Sequence, residues 1–419
     1  MAIPSPRMSP TVVVVILSLL LGIQPIATDL YLPALPAITA ELRAPMPQAQ
    51  LTLTALLLAF GVSQLVWGPL SDRFGRRPVV LAGSAAFALA ALGSVFATDM
   101  HTLIGWRTVQ GIAMGAAVVC ARAIVRDLYA PTEGARVMSK GLTGLGILAC
   151  ASAPLGGALS DLFGWQATLA ALAAFGVLSL AVVALRFEET LPPTQRTSLR
   201  PGVLLSAWVG IARHPTFWAY ALLATASYAG LFTFLATSSF VFIKDMGLGK
   251  TTYGLLMLSM SFVYIVGTVL CRALLPRIGV RRTVACAAGF TLVGGTLLGV
   301  LAWAGVQNTW AIMGPYYLFI VAHGVHQPCG QSGAVSPFPQ TAGAASALSG
   351  FLIMVVAFVM GGWIGRELNG APTGAAAVTL AQGLWFWSMV IATVAWTLVW
   401  RFGEPRQPPV RSLGQHSAP

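Results

Sequence analysis

Long, predominantly apolar stretches alternate with short polar segments along this chain, and the first two run from Thr11 to Leu21 and from Leu51 to Val66. A helix that crosses a hydrocarbon core of about 30 Å needs about 20 residues and satisfies its own backbone hydrogen bonds. The pattern therefore predicts twelve membrane helices. They span residues 11–34, 49–70, 78–98, 102–124, 136–160, 165–186, 216–242, 252–274, 283–304, 309–331, 342–365 and 376–400.

Composition supports a lipid environment. Of the 419 residues only 9% are charged and 57% are hydrophobic, whereas soluble chains are about 25% charged. The short alternating segments of a β-barrel are not visible. The first stretch runs past any small-residue cleavage site, which indicates a membrane helix and not a cleaved signal. The five cysteines lie inside apolar runs and predict no disulfide framework. The expected fold class is an all-α polytopic membrane protein.

The positive charge predicts the orientation. The 24 Lys and Arg residues exceed the 12 Asp and Glu residues, which by itself would suggest a nucleic-acid partner. With the N-terminus in the cytoplasm, eighteen basic residues fall on the cytoplasmic side and four on the other, with Arg107 and Arg122 inside helices. The positive-inside rule therefore places both termini in the cytoplasm, and the basic composition reflects topology without a nucleic-acid role.

The chain divides into two halves. Its longest polar stretch, Glu188–His214, separates a six-helix bundle at 1–187 from a second bundle at 215–402, followed by a cytoplasmic tail at 403–419; the linker is 188–214. The sequence SDRFGRRPV from Ser71 is echoed by LPRIGVRRTV from Leu275. Chance would explain a repeated RxG in basic loops, but its position in both halves favours an internal duplication.

Several motifs resemble those of the major facilitator superfamily. The run from Gly68 to Pro78 resembles its loop signature GxLxDRxGRR. Arg107, Gln110 and Gly111 resemble its RxxQG signature, and Ala153, Pro154 and Gly157 resemble its Gly/Pro antiporter motif, with Ala158 in place of a second glycine. Three further segments are similar to the bicyclomycin/chloramphenicol resistance (Bcr/CflA) branch, namely 28–36, 121–129 and 338–348.

This resemblance covers about residues 10 to 402. It implies a proton-driven exporter of drugs or metabolites that works by alternating access as a monomer in a bacterial inner membrane, with protons as coupling ion and no other cofactor. Ser239 replaces a common proline, and the segment 329–332 departs from an Asn-containing pattern, so the substrate stays open. No GxxxxGKS/T, HExxH or CxxC motif supports ATP drive, metal binding or an enzyme. The rivals are a nutrient facilitator or importer, and a non-transporting receptor.

Asp29 is the candidate proton carrier, because it is the one acid placed well within a predicted helix and an intramembrane acid is a functional-site hypothesis. A cycle that alternates its surroundings can load and release a proton. Pro25 and Pro33 would loosen the helix around it. Arg107 is its expected partner, because both residues fall in the outer half of the membrane. The alternatives are that Asp29 is solvated at the outer rim and that Arg107 braces the bundle through backbone carbonyls.

A stripe at three- and four-residue steps links Arg107, Gly111, Met114, Val118 and Arg122, as expected for a cavity wall. Aromatic and a few polar side chains suit a bulky, partly apolar ligand. The predicted substrate-binding residues are Tyr31, Gln110, Met114, Arg122, Tyr228, Phe232, Phe234, His323, His326 and Gln327. Simple helix packing is the alternative for the aromatic and histidine residues, and snorkelling to the interface is the alternative for Arg122.

The loop after the second predicted helix is expected to act as a conformational latch. Gly68 and Gly75 allow a close backbone approach and a tight turn. We expect Asp72 at a helix N-terminus of the second half, where the dipole favours an anion. Arg76 is expected to pair with Asp127, and the remaining members of the predicted latch are Arg73 and Arg77. The alternative is a loop that only sets orientation.

Overall fold

The computed structural model describes residues 8–129, 131–196, 201–306 and 308–403, and this part of the chain contains helices and no strand. The first half consists of α1 (Pro10–Asp29), α2 (Leu35–Glu41), α3 (Met46–Phe74), α4 (Arg76–Val95), α5 (Met100–Leu128), α6 (Pro131–Phe163) and α7 (Trp165–Arg186). The helix α8 (Pro201–Ala212) lies in the predicted linker. The second half consists of α9 (Pro215–Ser239), α10 (Lys250–Trp303), α11 (Thr309–Val335), α12 (Ala342–Glu367), α13 (Ala375–Val394) and α14 (Trp400–Phe402). The predicted tail 403–419 lies outside the described residues except for Gly403.

The described helices agree with the predicted all-α membrane fold. Ten helical stretches are long and apolar enough to cross a membrane. One of them, α10, has 54 residues and bends at Gly279, whose φ of 76° and ψ of 169° interrupt the helical backbone. It therefore supplies two crossings. The helix α11 is not among the ten. With 27 residues it is long enough to cross, but it is less apolar because it carries two histidines, two glutamines and two prolines. Counting α11 and both parts of α10, the described chain provides the twelve predicted crossings.

The first crossing differs from the prediction in its end. The pattern predicts one helix over 11–34, whereas α1 ends at Asp29 and the chain continues through a 3-10 turn, Leu32–Ala34, into α2. Proline lacks the N–H that would bond to the carbonyl four residues earlier, and for Pro33 that carbonyl belongs to Asp29. Pro25 stays inside α1. The break therefore follows Asp29, and the carboxyl-bearing residue ends the helix.

Small residues let helices within each half approach closely. A Cβ at Gly324 of α11 would lie 2.8 Å from the carbonyl carbon of Gly267 in α10. Such glycine contacts are typical of membrane helices, because packing replaces the hydrophobic effect there as the source of association. The same principle holds in the first half, where a Cβ at Gly83 of α4 would lie 2.6 Å from the Cβ of Ala116 in α5.

We call the end of the bundle that carries Arg73, Arg76 and Arg77 the basic end. Several close contacts between the halves lie at the opposite end. There Gln50 Nε2 of α3 donates to the carbonyl oxygen of Ala236 in α9 (2.8 Å), and a Cβ at Gly365 of α12 would lie 2.9 Å from Pro47 Cα. The 3-10 turn after α1 also contacts both α9 and α10. The halves are therefore closed against each other at the end opposite the basic end.

Candidate functional site

Arg107 lies in the interior of the first half. It is fully buried on α5, and each arm of its guanidinium has a partner. Nη2 donates to the carbonyl oxygen of Ala27 (2.7 Å), Nε to that of Thr52 (3.3 Å), and Nη1 to Gln110 Oε1 (2.8 Å). Its guanidinium carbon lies 4.4 Å from the ring centroid of Tyr31, within cation–π distance. Arg107 thereby joins α1, α3 and α5.

Two of the predicted substrate-binding residues belong to the same buried network. Gln110 Nε2 donates to Ser94 Oγ on α4 (3.0 Å), and the Tyr31 hydroxyl donates to Thr52 Oγ1 on α3 (2.9 Å). Met114 is fully buried on the same helix as Gln110. Their contacts are with their own half in this conformation, so a substrate-binding role for them stays a prediction.

Asp29 is half-buried and faces the second half. Its Oδ1 accepts a hydrogen bond from Thr28 Oγ1 (2.8 Å), and its carboxylate interacts electrostatically with the hydroxyls of Tyr228 on α9 and Tyr253 on α10. The described part of the chain contains no ion pair between Asp29 and Arg107.

The expected pairing with Arg107 therefore does not occur in this conformation. Arg107 and Asp29 lie at similar depths in the membrane, because Arg107 donates to the carbonyl oxygen of Ala27, two residues before Asp29. Residues two apart on a helix, such as Ala27 and Asp29, point about 200° apart around the axis. The Ala27 side of α1 faces the interior of its own half, and Asp29 faces the other half.

Arg122 bridges the two halves nearer the basic end. Its exposed side chain donates from Nη1 to Ser346 Oγ on α12 (2.8 Å). No described acid lies within 4.0 Å of its guanidinium, which carries five donors in all. It lies about four turns along α5 from Arg107, or about 22 Å at 1.5 Å per residue. An accessible arginine between the halves fits the predicted cavity wall better than snorkelling.

The predicted ligand residues of the second half separate into two groups. Tyr228 is half-buried beside Asp29, and Gln327 Nε2 donates to the carbonyl of Ala224 while Gln331 donates to its Oε1 (3.3 and 3.2 Å). Gln327 is buried within its own bundle, as are Phe232, Phe234, His323 and His326. Phe234 stacks on Tyr316 with centroids 3.8 Å apart, and His323 Nδ1 lies 2.8 Å from Ser227 Oγ. Among these described residues, Tyr228 is the one whose hydroxyl interacts electrostatically with the candidate proton carrier Asp29.

The loop at the basic end forms ion pairs within the first half, and the expected pair between Arg76 and Asp127 is one of them. Arg76 is 2% exposed and pairs with Asp72 (2.6 Å) and with Asp127 (2.9 Å). Arg126 lies 4.0 Å from Asp72, whereas Arg73 is exposed and adjoins the ring of Phe74. Asp72 was expected to cap a helix of the second half. Among the residues that the structure describes, its partners Arg76 and Arg126 both belong to the first half, so the expected contact is not formed there in this conformation.

The sequence patterns missed Glu189, which follows α7 in the linker. Its Oε1 accepts from the backbone N–H of Arg76 (2.8 Å), and its Oε2 accepts from that of Arg77 (3.2 Å). Arg77 Nε also donates to the carbonyl of Phe187 (2.8 Å). A carboxylate at the start of α4 satisfies N–H groups that have no partner inside the helix and is favoured by the helix dipole. Glu189 therefore fastens the beginning of the linker to the latch loop.

This contact explains the glycine in the loop. Gly75 has a φ of 104°, and a Cβ there would overlap Glu189 Oε2. Its counterpart in the second half, Gly279, has a φ of 76°, and no atom of the described residues lies within 4 Å of its Cβ position. Both glycines satisfy a backbone requirement, and only Gly75 also makes room for a carboxylate.

We expect Gly75→Ala to lower the stability of the protein more than Gly279→Ala. Both changes carry a cost of about 1–3 kcal/mol, because a positive φ with ψ near 180° is essentially restricted to glycine, but Gly75→Ala also displaces Glu189. Thermal unfolding of the purified variants in detergent measures the difference. Adding Glu189→Ala to Gly75→Ala should cost less than the sum of the two single changes. Equal losses at Gly75 and Gly279, with additive double-variant effects, would contradict the packing role of Gly75.

The Gly/Pro motif lies at the contact between the halves. Pro154 and Gly157 are on α6, and a Cβ at Gly157 would overlap the carbonyl oxygen of Lys250 at the start of α10. One turn away, a Cβ at Gly254 would lie 2.6 Å from the carbonyl oxygen of Ala153. These small residues let α6 and α10 touch through their backbones at the end opposite the basic end.

Comparison with known proteins agrees with this architecture. The family model of the Major Facilitator Superfamily matches residues 17–362. Multidrug resistance protein D of Escherichia coli is 32% identical over 80% of this chain and 84% of its own length. The chloramphenicol resistance protein of Pseudomonas aeruginosa is 28% identical over 76% and 75%, and the bicyclomycin resistance protein homolog of Haemophilus influenzae is 28% identical over 82% and 86%.

Solved structures show the same fold. A bacterial homolog of the human lysosomal transporter Spinster, in an inward-facing and unoccupied conformation, has a TM-score of 0.73 at 14% identity and covers 96% of this chain and 99% of its own. The D-xylose–proton symporter also has a TM-score of 0.73 at 14% identity, over 93% and 97% of the two chains. Family, relatives and fold agree that this chain is an integral membrane transporter belonging to the major facilitator superfamily, in its bicyclomycin/chloramphenicol resistance branch.

Proposed function

We propose that this chain exports small drug-like organic molecules in exchange for protons by alternating access. The observation that carries the proposal is Asp29, a half-buried acid at the end of α1 that faces Tyr228 and Tyr253 of the other half. Relative movement of the halves changes the surroundings of such a carboxyl, and with them its affinity for a proton. The resistance proteins among its relatives support a drug-like solute as the cargo.

The proposed role of Arg107 is to position Asp29. It holds α1 by the carbonyl of Ala27, two residues before the acid, and ties that carbonyl to α3 and α5. A displacement of α1 would therefore strain a fully buried guanidinium network. In this proposal Arg107 is the partner of Asp29 through the backbone and does not serve as its counter-ion in this conformation.

Arg122 and Tyr228 are the proposed contacts for the cargo. Arg122 provides further hydrogen-bond donors on the wall between the halves. Tyr228 provides an aromatic ring whose hydroxyl interacts electrostatically with Asp29. The positive-inside rule assigns the basic end to the cytoplasm. The proposed orientation therefore has the closed end outside, so the cargo enters from the cytoplasm in the conformation described.

The test is transport by the purified full-length chain in liposomes. We choose chloramphenicol as the first probe, because it is uncharged and is not trapped by a pH gradient. With an acidic lumen, a proton antiporter concentrates the probe inside as protons leave. A facilitator only equilibrates it, a proton symporter concentrates it when the outside is acidic, and a receptor binds it without uptake. Uptake that equals that of protein-free liposomes for a panel of such solutes would reject the proposal.

A further inference from the structure

The C-terminal end of α6 and the N-terminal end of α10 meet across the two halves. Asp161 Oδ2 accepts hydrogen bonds from the backbone N–H of Thr251 (2.9 Å) and from its hydroxyl (2.7 Å). Beside it, Lys250 Nζ donates to the carbonyl oxygen of Ser160 (3.1 Å). The backbones are close enough for these bonds because Gly157 leaves room for the carbonyl of Lys250.

The chemistry of this contact is that of a helix cap supplied by the other half. Thr251 is the second residue of α10, and the first N–H groups of a helix have no partner within it. A carboxylate that accepts from one of them also lies at the positive end of the helix dipole. The residue before α10, Gly249, provides no side-chain cap. Asp161 of the first half therefore takes that place for a helix of the second half.

The latch loop at the basic end also carries an acid, Asp72, but its described partners lie in its own half. Asp72 was expected to meet a helix N-terminus of the second half, but within the described residues it pairs with Arg76 and Arg126 of its own half. At the same end, α12 begins after Thr341 without a side-chain cap. In this state Asp161 bonds to the second half at the closed end, whereas the described partners of Asp72 at the basic end belong to the first half.

We propose that Asp161 is the positioning residue that holds the transporter closed at the end opposite the basic end. Its carboxylate stabilises one of the two arrangements between which an alternating-access transporter must move. The proposal concerns the equilibrium between these arrangements and is independent of the cargo and of the coupling ion.

The test measures the distance between the halves. Spin labels are placed at Thr98, in the turn after α4, and at Asn369, after α12; both are exposed and lie at the closed end. The full-length chain is used in nanodiscs, with its five native cysteines replaced. Asp161→Ala removes both accepted bonds, so we expect the ratio of long to short distances to rise about fivefold to tenfold, as for loss of a helix cap. Asp161→Asn keeps an acceptor oxygen and should shift the ratio less.

Asp245 provides a matched control. It lies at the same end and its Oδ2 accepts from the N–H of Gly374 (3.1 Å), but both residues belong to the second half. Asp245→Ala should leave the distance distribution as in the parent. An unchanged distribution in Asp161→Ala, or an equal shift in Asp245→Ala, would overturn the proposal. If Asp161→Ala does not insert into the membrane, the double variant Asp161→Asn/Thr251→Val replaces it. The ratio of long to short distances should again rise, and an unchanged ratio would again overturn the proposal.

Discussion

Asp29→Asn should abolish the accumulation of solute driven by a pH gradient and leave exchange of labelled for unlabelled solute largely intact. The amide keeps the size of the side chain and an oxygen that can accept from Thr28, but it cannot bind and release a proton. Net transport against a gradient requires the proton cycle, whereas exchange requires only that the loaded carrier changes conformation. The expected accumulation ratio in liposomes with an acidic lumen is therefore that of equilibration.

Asp99→Asn is a suitable control for this experiment. Asp99 caps α5 and accepts from both the hydroxyl and the backbone N–H of Thr102 (2.6 and 2.9 Å). These hydrogen bonds hold the pKa of the Asp99 carboxyl below its usual range. Asp99 therefore stays charged through the neutral range, and its cap is lost only as the pH falls through that lowered pKa. It should not carry a coupled proton, so its amide variant should still accumulate solute.

The two assays together identify the role of Asp29. Accumulation by Asp29→Asn at the level of the parent would exclude Asp29 as the proton carrier. Loss of both accumulation and exchange would indicate that the acid is needed for conformational change or for binding. Loss of accumulation alone is the signature of an uncoupled carrier.

Arg107→Lys should lower both stability and transport, although it keeps the charge. Lysine has three donors on a flexible stem and lacks the planar fork that reaches Ala27, Thr52 and Gln110 together. At least one buried acceptor is then left without a donor, at about 1–3 kcal/mol for each. The stacking on Tyr31 is weakened as well. We expect the free energy of unfolding to fall by about 3 kcal/mol and transport to fall with it.

Arg272→Lys is the matched change at an exposed arginine of α10. It should leave thermal unfolding in detergent and accumulation in liposomes close to the parent. Transport by Arg107→Lys equal to that of Arg272→Lys would show that only the charge at position 107 matters, as for a counter-ion. A loss of stability in Arg107→Lys that exceeds the loss in Arg272→Lys supports the bracing role found in the structure.

Both predictions depend on the break after Asp29. Because Pro33 cannot bond to the carbonyl of Asp29, α1 ends at the acid and the chain turns toward α9 and α10. Arg107 holds the last turn of α1 from the side of its own half. The acid is thus fixed on one side by the first half and exposed on the other to the movement of the second.

The sequence alone determined the architecture and the family. Apolar stretches of about 20 residues leave a chain in lipid no alternative to membrane helices, because each backbone group must be satisfied within its own segment. The polar segment between the apolar runs 252–274 and 283–304 predicted two crossings there, and α10 bends at Gly279 within that segment. Asp29 was also identified from sequence as a candidate, because a carboxyl within a predicted apolar helix is rare, although in the structure it is the last residue of α1.

Only the tertiary structure decided which side chains meet. Periodicity gives the depth of a residue and its angle on its own helix, but it does not give the rotation of that helix toward its neighbours. For this reason Arg107 and Asp29 were placed at a common depth, while the partners of Arg107 turned out to be the carbonyls of Ala27 and Thr52. Contacts between the halves depend in addition on which end is closed. That is why a carboxylate between the halves was expected at Asp72 and is found at Asp161, a residue whose local sequence carries no sign of its partner 90 positions away.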